Sequence, residues 1–339
     1  MPHALRTRYL ARSGGLLGFA ELTRRHGLDP EALLQEAGLP VAALNDPELY
    51  LSYPRLAQVY QLTAARLRDP TFALRLAERQ GLEVVGALGA WLCRQATVGE
   101  ALLGLQRHLG FHARGITMDS RVEGDEILLT LSLAFAADTD CTQLLLLSLA
   151  LVEHGMADLQ PAHVRPRGAQ LGAALPASVR ERCARLFGCA VETGRIWQLR
   201  YPLSLLAQPV APRPGLVGRL QRHWREDWPQ PPLSVTRQVA RGLAALLPTG
   251  EASLAGVAAL VGVHPRTLQD WLHREGSGYD EVLRSVRLDL ACTHLAHSDI
   301  SLTQLAQDLG YAELAVFSRT FKRWTGLSPG AWRRQRQTA

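Results

Sequence analysis

The sequence predicts a mixed α/β amino-terminal domain followed by an all-α carboxy-terminal domain, in which two helix-turn-helix units are joined by a long helix. Three observations predict it. Near the carboxyl end two stretches share one grammar: Ser253, Leu254, Val257, Ala258 and Gly262 recur 48 residues later as Ser301, Leu302, Leu305, Ala306 and Gly310. Each glycine is followed by a turn and a second apolar pair at i,i+4, Leu268 with Leu272 and then Phe317 with Phe321, now 49 residues apart. In the first 205 residues, by contrast, the apolar period changes partway from helical spacing to strand alternation.

A chain of 339 residues can bury a sizeable core and has the length of two or three domains. It holds no run of 18 apolar residues, so a membrane-spanning helix is not expected. Residues 1–11 carry Arg6 and Arg8 but lack the apolar centre of a signal peptide. The five cysteines, Cys93, Cys141, Cys183, Cys189 and Cys292, have no paired spacing. They read as free thiols in a reducing cytoplasm.

Residues 10–45 read as helices in pieces, one of them opened by Asp29 as N-cap and Pro30 as first residue. Further helices are predicted over 54–67, 71–79, 88–96 and 98–109, the last capped by Thr97 before Glu100. A β-hairpin follows, 116–122 and 127–135 joined at Gly124. Then come an apolar helix over 140–157, a loop over 161–172, a helix over 178–187 and one or two strands within 190–199. The Pro-rich run 208–215 closes this domain, 1–207. A linker, 208–233, contains an amphipathic segment over 216–227. The last domain, 234–339, opens with a helix at Ser234 and carries the units 253–276 and 301–324, joined by a helix over 279–295.

A helix-turn-helix places its second helix in the major groove of DNA. In the first unit that helix starts near Pro265, and if Leu268 and Leu272 face inward, Arg266, Gln269, Asp270 and His273 face outward. Arg266 suits guanine or phosphate and Gln269 suits adenine, whereas Asp270 can only accept, from cytosine N4 for instance, or else repels phosphate. The bland alternative is that these are ordinary solvated positions. In the second unit Leu314, Ala315, Ser318 and Arg319 take the comparable face. Leu314 and Ala315 offer shape and thymine-methyl contact only, which leaves Arg319 to read a base or to anchor a phosphate. Lys322 and Arg323 suit phosphate contacts, which position a domain without choosing sequence. From Arg319 to Arg336 there are six basic side chains and no acidic one, a local excess that the net charge of +6 conceals. Trp324 and Trp332 sit where a small domain needs core mass.

Residues 253–333 resemble the DNA-binding domain of the AraC/XylS family of bacterial transcription regulators. The resemblance is most specific from Gly310 and Tyr311 through Phe317, Ser318, Arg319, Phe321, Lys322, Trp324 and Gly326 to Pro329. The first unit matches at Ala258, Gly262, Val263, Arg266, Leu268, Gln269, Leu272 and Gly276, and departs at Asp270 and Trp271. The amino-terminal part resembles regulators with an arabinose-binding-type domain, including ornithine-utilisation regulators. That likeness runs through 39–45, 72–76, 86–92, 98–109, 187–189 and 203–209. It implies a domain for effector sensing, dimerisation or both, with no implication that arabinose is the ligand. Double-stranded DNA, a small effector, RNA polymerase and a second copy of the chain are the partners so implied, for an activator in the bacterial cytoplasm.

A carboxylate, an amino acid derivative or a fatty acid would suit the effector, with Arg94, His108, His112, Arg114 and Arg165 as polar groups that could meet it. His108 and His112 stand at i,i+4, but no third ligand is spaced to join them and Gly110 is expected to break the helix. No metal, cofactor or catalytic residue is expected. The competing readings are a ligand-independent architectural or repressor DNA-binding protein.

Overall fold

A computed structural model of the chain describes residues 9–221, 234–298 and 300–337. These fall into two compact units, the first holding nearly all of residues 9–221 and the second residues 234–337. The fold is a mixed α/β unit followed in sequence by an all-α unit. Of the linker expected at 208–233, residues 222–233 lie outside the described residues, as does the end of its amphipathic segment.

The first unit begins with two short strands, β1 (Leu10–Arg12) and β2 (Tyr50–Ser52), paired antiparallel with Ala11 opposite Leu51. The expectation of helices alone in this region is therefore incomplete. All six strand residues are buried, so neither strand shows the in-out alternation that reveals a strand in sequence. Between them lie α1 (Phe19–Arg25) and α2 (Pro30–Glu36). The Asp29 carboxylate accepts from the Glu31 amide at 2.9 Å, the cap its sequence position predicts.

Next come α3 (Tyr53–Leu67), α4 (Phe72–Ala77), α5 (Ala87–Leu92) and α6 (Val98–His112). Thr97 caps α6 by accepting from the Glu100 amide at 3.2 Å, and the Glu100 carboxylate reaches back to the Ala96 amide at 3.0 Å. The break expected at Gly110 does not occur. A helical glycine costs only about 1 kcal/mol, and Phe111 beyond it is buried, its carbonyl accepting from the Tyr50 hydroxyl at 2.6 Å.

Among the described residues the main sheet has five strands, in the spatial order 116–123, 126–133, 197–202, 168–171 and 190–193. Strands β3 (Ile116–Glu123) and β4 (Glu126–Leu133) form the predicted hairpin around Gly124 and Asp125. Along β4, Ile127, Leu129, Leu131 and Leu133 are buried in alternation, the pattern of a sheet with one face on the core. Helix α7 (Thr142–Leu159) is apolar on most of its circumference, as an interior helix must be, and packs against α3, α4 and the sheet. Strand β5 (Gly168–Leu171), α8 (Ala177–Phe187) and β6 (Ala190–Thr193) make a parallel crossover unit, and β7 (Trp197–Pro202) inserts between β4 and β5. The loop expected over 161–172 thus contains a strand, too short and too buried to alternate. Helix α9 (Leu216–Gln221) ends the described part of this unit, with Leu216 and Leu220 buried against α5.

The second unit is helical throughout: α10 (Val235–Leu246), α11 (Leu254–Val261), α12 (Pro265–Arg274), α13 (Tyr279–His297), α14 (Leu302–Asp308), α15 (Leu314–Thr325) and α16 (Pro329–Gln337). Helix α10 packs on α11, α12 and α13, while α16 packs on α13 and α15. Around the second helix pair the core is Ala291, Leu295, Leu305, Ala306, Leu309, Phe317 and Phe321. Trp332 of α16 closes it, edge-on to Phe321 with ring centroids 6.2 Å apart. Trp324 is half-buried.

Candidate nucleic-acid interface

Each helix pair is built by the same local chemistry. Ser253 accepts from the Gly256 amide at 2.9 Å and Ser301 from the Gln304 amide at 3.1 Å, so each serine satisfies a donor that the first turn of its helix leaves free. The chain then reverses at Gly262 (φ +73) and Gly310 (φ +70), left-handed positions that glycine adopts without steric cost. Helix α12 starts at Pro265, its N1 residue, with His264 Nδ1 accepting from the Arg266 amide at 3.3 Å.

Buried pairs fix which way the second helices face. Leu268 and Leu272 hold α12 against its unit, and Phe317 with Phe321 hold α15. At 100° per residue, Arg266, Asp270 and His273 share the opposite face of α12 with Gln269 at its edge, and all four are exposed. On α15 Arg319 lies directly opposite the phenylalanine pair, flanked by Ala315, Lys322 and Arg323, and all four are exposed. Ser318 is half-buried. Leu314 is half-buried too and packs against the core around Phe317, so the structure turns it partly away from that outward face.

Among the described residues Arg266, Arg319, Lys322 and Arg323 form no ion pair, which leaves their charge available to an external anion. The basic tail is less uniform than its sequence. Arg333 is half-buried and donates to the Ile300 carbonyl at 2.6 Å, tying α16 to the start of the second helix-turn-helix.

Three further residues escape sequence reasoning. Arg274 is exposed in the last turn of α12, where the 49-residue offset pairs it with Arg323; that offset was the signal for it. Glu275, at the carboxyl end of α12, accepts from the amides of Val235 (2.8 Å) and Thr236 (2.9 Å) and from the hydroxyls of Ser234 (2.9 Å) and Thr236 (2.8 Å). It thereby caps α10 from a distance. Burial alone would raise its carboxyl pKa, but the Thr236 and Val235 amides together with the Thr236 and Ser234 hydroxyls outweigh that and lower it. Arg287 of α13 donates to the carbonyls of Leu309 (2.8 Å) and Gly310 (3.2 Å), and its guanidinium lies 4.6 Å from the Tyr311 ring centroid. One cation thus braces the turn of the second unit. No short motif announces such long-range bonds.

Two helix-turn-helix units in one helical body, each with its second helix turned outward and held by an apolar pair, define a tandem helix-turn-helix DNA-binding protein. Comparison with known proteins agrees. The family described as the arabinose-binding domain of AraC transcription regulator, N-terminal, matches residues 27–210, and a helix-turn-helix domain matches residues 257–335. The HTH-type transcriptional regulator VirS of Mycobacterium tuberculosis is 28% identical over 333 residues, 96% of each chain. The ornithine utilization regulator of Pseudomonas aeruginosa is 26% identical over 330 residues, 92% of this chain and 93% of that one. Among solved structures, the transcriptional regulator CdpR from Pseudomonas aeruginosa aligns over 95% of this chain and 98% of its own, with 21% identity and a TM-score of 0.43. The chain belongs to the AraC/XylS-type transcriptional regulators, with an amino-terminal arabinose-binding-type domain and a carboxy-terminal helix-turn-helix domain. It is a DNA-binding transcriptional regulator, and its architecture is that of a non-catalytic protein. No described helix is long and apolar enough to cross a membrane.

Proposed function

We propose that the protein is a sequence-specific activator that inserts α12 and α15 into successive major-groove segments on one face of the duplex. The observation that carries this reading is the pair of outward faces, each opposite a buried apolar pair and each bearing unpaired side chains that can donate to bases or phosphates. Arg266 and Gln269 read bases from α12, with Asp270 and His273 beside them, and Arg319 reads from α15 with Ala315, Ser318 and Leu314 at its margin. Lys322 and Arg323 contact phosphate. Residues 1–207 serve as the effector and dimerisation domain, and 208–233 as its linker to the DNA-binding domain, 234–339.

A small effector in the first domain sets the affinity for the operator, and a second copy of the chain raises it by effective concentration. The bound dimer, on the nucleoid, then recruits RNA polymerase. The test is selection of genomic DNA fragments by the purified full-length protein at moderate salt, read by sequencing. A recurring site with two contact segments about one helical turn apart is the expected result. Uniform recovery of fragments, with and without cell extract as a source of effector, would replace this reading with architectural binding.

A further inference from the structure

Within the first unit, α3, α6, α7 and the β3–β4 hairpin surround a cavity of about 790 Å³ including its mouth. It is lined chiefly by aliphatic side chains, among them Leu102, Leu105, Met118, Leu131, Val152 and Met156, and by no residue with a formal charge. Much of that space is narrow or belongs to the mouth. What remains is room for a slender molecule, such as a short alkyl chain or one flat ring, and not for a sugar or a nucleotide.

Three lining side chains are polar: Tyr53, His112 and Ser148. Tyr53 and Ser148 share a hydrogen bond, and Ser148 donates to the Leu144 carbonyl at 2.8 Å, so these two hydroxyls are already engaged. His112 differs. Its Nδ1 is buried with no hydrogen-bond partner among the described residues. Burial first, and the nearby Arg12 cation second, push its pKa down to about 3, so the imidazole is neutral under physiological conditions. Arg12 does not line the cavity and is ion-paired with Glu48. Of the five polar residues that the sequence offered for a ligand, only His112 reaches this space.

An unpaired carboxylate or ammonium in such a lining would forfeit its hydration with no counter-charge to replace it. We propose that this cavity binds an uncharged, mainly apolar molecule whose single polar group, a hydroxyl or amide, exchanges a hydrogen bond with His112 Nδ1. The assignment rests on the reading of this domain as the effector domain and narrows its ligand class: free amino acids and fatty-acid carboxylates are excluded in favour of alcohols, amides and comparable neutral molecules.

The test uses the full-length protein, with binding followed by calorimetry and by the rise in melting temperature. The probes are 1-octanol, 1-chloroheptane of matching length without a hydrogen-bonding group, octanoate, and lysine. Octanol should bind once per chain, about five- to tenfold more tightly than 1-chloroheptane, the worth of one buried hydrogen bond. His112→Phe should bring the two to equal affinity, and Leu105→Trp should weaken both by filling part of the cavity. Binding of octanoate or lysine in preference to octanol overturns the ligand class and leaves the effector reading standing. Absence of saturable octanol binding overturns the proposal outright, as does an octanol preference that survives His112→Phe. Should a variant fail to fold, the ligand series on the unaltered protein still decides. Octanol binding that leaves operator affinity unchanged confirms the site and removes its regulatory role, so the two ideas fail separately.

Discussion

Asp270 and Arg319 occupy equivalent positions in the two recognition helices, 49 residues apart, each exposed and each opposite the buried pair that anchors its helix. The fold repeats while the charge at the centre of the outward face inverts. An aspartate there repels phosphate and accepts only from a base donor such as cytosine N4, whereas an arginine attracts phosphate and pairs with guanine. If both helices enter the groove as proposed, the two helix-turn-helix units should contribute unequally to DNA affinity, the second more through charge and the first more through selection.

Asp270→Asn should strengthen binding to random DNA by roughly two- to fivefold at low salt, an effect that fades as salt screens an exposed charge. Titration of a labelled random duplex at several salt concentrations checks this. If random affinity stays fixed while operator affinity drops, Asp270 instead accepts from a base.

Arg319→Ala should cost about 1–3 kcal/mol on the operator and less on random DNA, and should relax the preference at one base position. Competition binding on operator variants reads both quantities. Equal losses on operator and random DNA would make Arg319 a phosphate anchor. Lys322→Gln is the control: it should weaken both DNAs alike and reduce the salt slope by about one.

The all-α unit was legible in sequence because each of its devices is local. A serine cap, a turn glycine and an i,i+4 apolar pair all fall within one helix-turn-helix, and Ser253, Gly262, Leu268 and Leu272 announce theirs as plainly as Ser301, Gly310, Phe317 and Phe321. The outward faces follow from the inward pairs by helical geometry. What stayed hidden is long-range. Strands β1 and β5 are short and buried, so they lack the alternation that marks a strand. Gly110 reads as a helix break in sequence because its sequence neighbours do not show that Phe111 is anchored by Tyr50, 61 residues away. The cavity around His112 draws on residues from 53 to 159, and no window of sequence spans that.

Glu275→Ala should destabilise the DNA-binding unit by about 1–2 kcal/mol, since four donors around the start of α10 lose their acceptor. The lowered carboxyl pKa gives this contribution a pH sign: it is present above the usual glutamate range and is lost as pH falls through the folded value. Urea denaturation of the full-length variant, followed by tryptophan fluorescence at pH 7, measures it. An unchanged midpoint would show that water replaces the carboxylate at no cost.

Arg287→Lys should impair the second unit although Arg287 lies on α13 and not on a recognition helix. A lysine keeps the charge but not the planar fork that reaches both the Leu309 and Gly310 carbonyls and lies over Tyr311. Amide exchange at Gly310 and Tyr311 should quicken several-fold, and operator affinity should drop with it. Unaltered exchange at those amides would mean that the turn holds without its brace.

Glu153 of α7 offers a test of pH dependence far from any DNA contact. Its carboxylate is 1% exposed, accepts from the Tyr201 hydroxyl at 2.6 Å and lies 2.8 Å from His163 Nε2. Burial raises its pKa to about 7, against the lowering effects of the Tyr201 hydrogen bond and of Arg165 and Arg213. A folded-state pKa above the unfolded value means that the folded chain holds the extra proton. This contribution to stability is therefore complete below about pH 4.5 and is lost as pH rises through about 7. It amounts to about 3 kcal/mol at most over that window. His163, its own pKa lowered chiefly by burial, loses stability in the opposite direction as pH falls, so the informative quantity is the difference between variant and parent. Glu153→Gln keeps an acceptor for Tyr201 and cannot ionise. Its melting temperature should gain on the parent's between pH 5 and pH 8, and parallel profiles would show that Glu153 is already ionised throughout, paired with a protonated His163.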